Sequence, residues 1–275
     1  MKYSLAVSTL LIATGLLSFS IPKSEAASTS KQSFAQWCQQ KNSLPAETKK
    51  TIEVLLKQAG TQDCKTAEST LNSYPQINLS KSQISDIKPL ASFPNLVGLN
   101  LAKNQISDLK PLADLTNLTA LDLSKNQIGD VSALTGLTKL SELNLSRNKI
   151  TDPKSLSALT NLTFLNLSRN QIKDLKPLVS LTKLTYLRLD DNQIDDVNLL
   201  AGLTNLTWLD LSKNKISDVK PLASLSKLTY LGISKNKISN VEHLANLKTL
   251  VGLDLDSNQI NEKVCPIKPE STCRF

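Results

Sequence analysis

The chain has 275 residues, enough for one or two domains, and a formal net charge of +8. Aromatic residues make up only 4%, and a single histidine accompanies four cysteines. Such a composition leaves little material for side-chain catalysis.

Residues 1–26 read as an export signal. Lys2 supplies a basic start, Leu5 to Phe19 an apolar run, and Ser24-Glu25-Ala26 a small-x-small cleavage site before Ala27. The competing reading is a membrane anchor, but the run is short and a cleavage site follows it. No second hydrophobic stretch is long enough to span a bilayer. Removing Lys2, Lys23 and Glu25 lowers the formal charge from +8 by one, to +7.

Residues 27–75 do not repeat. Phe34 to Cys38 predicts a short amphipathic helix. Leu44-Pro45 opens a second, with Ile52, Val54, Leu55 and Leu56 as its apolar residues and an end near Gly60. Asp63 would cap a third, running through Leu71. Trp37 reads as part of this segment's core.

From residue 76 to 262 one phrase recurs. Leu206-Thr-Trp-Leu-Asp-Leu-Ser-Lys-Asn-Lys-Ile216 reads L-x-x-L-x-L-x-x-N-x-I. Asn104, Asn126, Asn148, Asn170, Asn192, Asn214, Asn236 and Asn258 hold its polar slot, each 22 residues after the last. A partial first copy at 76–90 has Ser82 in that slot. One copy cannot bury its own leucines, whereas stacked copies bury each other's. The expected architecture is therefore an α/β repeat solenoid: a leucine-rich-repeat curved rod with a parallel sheet on its concave face. Turns and 3₁₀ segments would form the convex face, and residues 27–75 would make a small helical lid.

Within a copy, Leu209 and Leu211 point to the core, while Trp208, Asp210 and Ser212 face the concave surface. The asparagine lies inward at the turn and satisfies backbone groups, so Asn170→Leu should cost roughly 1–3 kcal/mol. Asp108, Asp130, Asp152, Asp174, Asp196 and Asp218 form a second column, continued by Asn240 and Glu262. With Pro89, Pro111, Pro177 and Pro221 three residues after such positions, these acids read as caps of short convex segments.

Residues 263–275 read as a closing clasp. Cys38 and Cys64 lie in the lid, Cys265 and Cys273 in the tail. Three pairings exist on paper. Cys38–Cys64 and Cys265–Cys273 are favoured because lid and tail belong at opposite ends of a rod. Zinc is the alternative, but the pairs are far apart and no histidine stands nearby. Disulfides imply an oxidising compartment, periplasmic or extracellular.

No catalytic constellation emerges. His243 occupies a slot held elsewhere by proline, and the repeated serines have no base. No cofactor or metal motif is present. Asp190, Asp191, Asp195 and Asp196 form an acidic cluster that could hold a cation such as Ca²⁺. Lys103, Lys125, Arg147, Arg169, Lys213 and Lys235 share the slot before the asparagine and would line one rim of the sheet. Such a stripe attracts anions, although export argues against nucleic acid.

The informative column is the first outward strand position: Gln76, Gly98, Ala120, Glu142, Phe164, Tyr186, Trp208, Tyr230, Gly252. Between Pro94 and Arg274 every Phe, Tyr and Trp is in it, in consecutive copies. With strands about 4.8 Å apart, the rings should form one ladder on the concave face. Phe164, Tyr186, Trp208 and Tyr230, with Glu142, Arg188 and Asp210 beside them, are the candidate contact residues. A protein ligand is the first expectation. A glycan stacking on the rings is the second.

The phrase L-T-N-L-T-x-L-D-L-S-x-N-x-I-x-D-V-x-P-L, seen at Leu203 to Leu222, resembles the 22-residue repeats of the internalin family of bacterial leucine-rich-repeat proteins. The resemblance covers roughly residues 76–262. It implies a concave ligand face, a 3₁₀-rich convex side and an exported, non-enzymatic protein that recognises partner proteins.

Overall fold

The lid helices follow their local signals. A computed structural model describes residues 32–262 and 264–275, so the export-signal reading lies outside the described residues. Helix α1 (Phe34–Gln39) starts at a capping box in which Ser33 accepts from the Gln36 N–H and Gln36 answers to the Ser33 N–H. Helix α2 (Ala46–Ala59) begins after Pro45 and ends at Gly60, whose φ of +70° few other residues adopt at low cost. Helix α3 (Cys64–Asn72) is capped by Asp63, which accepts from Thr66 N–H. A 3₁₀ turn at Lys41–Ser43, which the sequence reading did not include, joins the first two helices.

These helices cover the end of the first coil. Phe34 meets Phe93 with centroids 5.4 Å apart, and Thr51 donates to the Asp86 carbonyl at 2.6 Å. Thr48 donates to the Asp86 carboxylate. Trp37 is half-buried and packs against the core, as its reading as part of the lid core requires.

The repeats then lay down one open parallel sheet in chain order. Its strands are β1 (Gln76–Asn78), β2 (Gly98–Asn100), β3 (Ala120–Asp122), β4 (Glu142–Asn144), β5 (Phe164–Asn166), β6 (Tyr186–Arg188), β7 (Trp208–Asp210), β8 (Tyr230–Gly232) and β9 (Gly252–Asp254). Every pair is in register at 22 residues, as Trp208 opposite Tyr230 and Tyr186 illustrate. Each strand spans three residues, yet the ladder outlasts it: Leu101 N–H donates to Asp122 O and Lys103 N–H to Ser124 O, both at 2.8 Å.

Stacked leucines form one continuous core from the lid to the last coil. The asparagines hold the turns between coils. Asn170 Nδ2 donates to the carbonyls of Leu145 (3.1 Å) and Leu167 (3.0 Å), while its Oδ1 accepts from Ile150 N–H at 3.1 Å. One side chain thus ties its own coil to the preceding one, at a site where unpaired backbone groups would be costly.

The aspartate column acts one step earlier than a helix cap. Asp108 Oδ1 accepts from Lys110 N–H (2.9 Å), whereas the residue flanking the 3₁₀ segment Lys110–Leu112 is Leu109. The same Asx turn recurs at Asp130, Asp152, Asp174, Asp196 and Asp218, and with Asn240 in their place. His243 lies in the 3₁₀ segment Glu242–Asn246, its Nε2 3.6 Å from the Glu242 carboxylate.

The tail adds something the repeat pattern does not announce. After a 3₁₀ turn at Glu270–Thr272, β10 (Cys273–Arg274) pairs parallel with β9, and Leu255 N–H donates to Arg274 O at 2.7 Å. Both disulfides form as paired in the sequence, Cys38–Cys64 and Cys265–Cys273, with Cα separations of 5.6 and 5.7 Å. Among the described residues, no helix is long and apolar enough to cross a membrane.

Candidate functional site

The register places Phe164, Tyr186, Trp208 and Tyr230 on four adjacent strands, with alternate residues buried beneath them. Leucine at the inward positions leaves the rings on the sheet surface, each half-buried. They touch in series. Ring centroids lie 4.6 Å apart for Phe164 and Tyr186, 5.6 Å for Tyr186 and Trp208, and 3.9 Å for Trp208 and Tyr230, with planes within 15° of parallel.

This stacking decides which part of each ring is available. Inside the column, the faces cover one another and the edges remain. At the far end Tyr230 lies over Gly252, where a Cβ would come within 3.0 Å of the ring. The Trp208 Nε1–H is buried in the stack without a protein acceptor.

Beside the rings runs a charged network. Arg188 directs Nε and Nη2 at Asp190 Oδ1, both at 3.0 Å, and Nη2 also at Asp210 Oδ2, at 3.4 Å. One cation between two carboxylates leaves the group net negative. Burial pushes the Asp190 carboxyl above the usual carboxylate range, the charge of Asp210 adds to this, and Arg188 opposes it. Burial also pushes the Tyr230 phenol up, reinforced by Asp210 and Asp254. Gly232 leaves room there: a Cβ would meet Asp210 Oδ1 at 2.8 Å and the Tyr230 hydroxyl at 3.1 Å.

Glu142 stands apart from this group. It is exposed next to Phe164, on the wall of a concavity of about 560 Å³ that occupies the lid-proximal half of the sheet. Small residues at Gly98 and Ala120 open that space, and Gln58 of α2 closes one side of it. Gln58 was not a sequence candidate, because nothing in α2 alone indicates which coil it reaches. The site therefore has two halves, a polar hollow and an aromatic column.

The four clustered aspartates do not converge. Asp190 serves Arg188, Asp191 lies between Arg169 (3.9 Å) and Lys213 (3.7 Å), Asp195 pairs with Lys173 at 3.3 Å, and Asp196 closes an Asx turn. Residues of adjacent columns leave the strand in different directions, so sequence proximity does not make a cage. No metal-holding group of acids, histidines and cysteines occurs among the described residues.

A family model for leucine-rich repeats, two copies per match, fits residues 116–158, 160–202 and 204–246. An internalin C2 from Listeria monocytogenes is 37% identical with a TM-score of 0.69, the match covering 74% of this chain and 91% of that one. Internalin F from the same organism is 34% identical with a TM-score of 0.70; the match covers 75% of this chain and only 62% of that one. The repeat ectodomain of the Arabidopsis thaliana membrane receptor kinase GASSHO1/SCHENGEN3, solved in complex with Casparian strip integrity factor 2, is 26% identical with a TM-score of 0.63. That match covers 70% of this chain and 25% of the receptor. No curated protein sequence matches the chain significantly.

Proposed function

We propose, from the premise that the chain belongs to the internalin-like bacterial leucine-rich-repeat proteins, that it is an exported, non-enzymatic scaffold binding a partner protein through its concave face. Residues 1–26 are the export signal in this reading, 27–75 the lid, 76–262 the recognition coils and 263–275 the clasp. Two disulfides fit an oxidising location, periplasmic or extracellular.

The observation that carries the reading is the ring column. Phe164, Tyr186, Trp208 and Tyr230 are pre-stacked on a rigid sheet, so little rotamer entropy remains to be lost on contact. Aromatic side chains held this way are what binding hot spots are made of. Their orientation favours protein over glycan. A sugar packs on an aromatic face, and inside the column both faces of Tyr186 and Trp208 are occupied by neighbouring rings, which leaves only the end rings an uncovered side. Ring edges, with their partial positive charge, suit backbone carbonyls and aliphatic side chains. Arg188, Asp210 and Glu142 supply polar contacts around the strip.

The test is capture from envelope and extracellular extracts by the disulfide-bonded chain, followed by Tyr186→Ala with Trp208→Ala. The double change removes three stacking contacts, so stability falls by about 2–4 kcal/mol. Circular dichroism is therefore needed to show that the variant is folded. A folded variant that has lost capture supports the site, and protease treatment of the extract should abolish the wild-type signal. Capture that survives in the folded double variant, or that glycosidase alone removes, refutes it.

A further inference from the structure

The basic column differs from the other lysine columns of this molecule. Lys81, Lys103, Lys125, Arg147 and Arg169 occupy five successive coils, and each is exposed with φ between 55° and 60°. The left-handed backbone disfavours a long side chain there and better tolerates asparagine or glycine. Local conformation therefore does not account for five cations in a row.

Their spacing is fixed by backbone bonds. Lys81, Lys103, Lys125, Arg147 and Arg169 each donate their N–H to a carbonyl of the next coil, at 2.7–2.9 Å. The row thus keeps the strand repeat of about 4.8 Å. Lys50 of α2 extends it onto the lid by donating to Gln83 at 3.0 Å. Among the described residues, Lys81, Lys103, Lys125 and Arg147 have no ion-pair partner; the row is first neutralised where Asp191 meets Arg169 and Lys213. The Lys125 ammonium is held below its usual pKa by the charges of Lys103, then Arg147. The convex lysines differ in their surroundings. Lys88, Lys110, Lys154 and Lys176 each follow by two residues an aspartate that accepts their backbone N–H, so a carboxylate accompanies every cation in that column.

We infer that this rim is a second binding site, for one linear sulfated polysaccharide lying along the rod with one charged sugar per coil. A fixed row of five cations, four unpaired and Arg169 in an exposed 3.9 Å pair with Asp191 that a sulfate would displace, matches a polymer whose charges repeat at the same interval. An extended pyranose chain advances by about one coil per ring. The phosphates of a duplex strand advance ~3.4 Å along the helix axis and wind around it, so they cannot follow a straight row, and an extended acidic peptide, whose same-side residues repeat at ~6.8 Å, falls out of register. The two arginines add forked donors suited to sulfate oxygens.

The experiment is calorimetric titration of the disulfide-bonded chain with a size-defined heparin oligosaccharide across a salt series. Five contacts should give a slope of log K against log salt near −4, at about 0.7–0.9 per charge. Replacing Lys81, Lys103, Lys125 and Arg147 by asparagine keeps a residue that tolerates the left-handed turn. This variant should bind about a hundredfold more weakly, with a slope near −1. Lys88, Lys110, Lys154 and Lys176→Gln removes the same formal charge from the convex side and should leave binding within about twofold, since it touches none of the five contacts. Equal weakening by the convex variant would reduce the effect to net charge and overturn the site. So would equally tight binding of a single-stranded oligonucleotide of matched charge, or no binding at low salt.

Discussion

Asn170→Leu tests the bonding that joins coil to coil. The wild-type side chain accepts from Ile150 N–H and donates to the carbonyls of Leu145 and Leu167. Those carbonyls are not orphaned by the change, because Asn148 also donates to Leu145 and Asn192 to Leu167. Ile150 N–H has no such second partner. Its burial without a bond costs about 1–3 kcal/mol, and each lost carbonyl bond adds about 0.5–1.5 kcal/mol. The total is about 2–6 kcal/mol, against about 1–3 kcal/mol for one orphaned group alone. That corresponds to a fall in melting temperature of about 4–24 °C for a domain of this size. Thermal unfolding by circular dichroism, with urea titration as a check, reads both. Shared carbonyls make a sharper prediction. Asn148→Leu with Asn170→Leu strips Leu145 O of both its asparagine partners, so the double variant should lose more than the sum of the singles, by about 1 kcal/mol. A single variant within about 0.5 kcal/mol of wild type, or strict additivity in the pair, would refute the reasoning.

Removing Cys38–Cys64 by paired serines should cost about 3.5 kcal/mol for a sequence separation of 26 residues, and removing Cys265–Cys273 about 2.5 kcal/mol for a separation of 8. Urea midpoints with and without reductant measure both losses, and an unchanged midpoint contradicts them. Asp190 has a folded pKa above its unfolded value of 3.8, so its penalty is absent below that value, appears as pH rises through the folded pKa, and is complete at neutrality. Asp190→Asn should therefore be at least as stable as wild type at pH 7, with the gap closing toward pH 3.5; a constant gap across that range is the contrary result. Gly252→Ala sets a Cβ 3.0 Å from the Tyr230 ring and should displace the end of the aromatic column. The readouts are a loss of about 1 kcal/mol and weaker partner capture, and unaltered capture would show that the last ring is not a contact.

Much of this architecture is written in the 22-residue period, because a parallel register at constant spacing converts columns of letters into columns in space. The ring column is legible for that reason, as are Asn170's inward position and the grouping of both cysteine pairs. What the letters do not carry is orientation within a column. Phe164 through Tyr230 are predictable as neighbours, but that they stand face to face depends on rotamers set by their mutual contact. The acids from Asp190 to Asp196 look like a cluster in one dimension and disperse in three, since strand, turn and convex segment send them apart. The basic residues before most of the asparagines reveal a rim, yet not their left-handed backbone, which follows from the tight turn after each strand. Gln58 and β10 escape for another reason: each depends on a contact between a non-repeating segment and a coil, and no period exists to place it.

Strand β10 bears on how the last coil holds together. Coils add to one another through a directional edge, and without β10 the hydrogen-bonding row of β9 would stand open to solvent. Cys273–Arg274 fills that row from within the same chain, and the bond to Cys265 fastens it in place. Where thiols are kept reduced this short strand loses its fastening, and the β9 edge becomes the place at which the last coil can begin to fray.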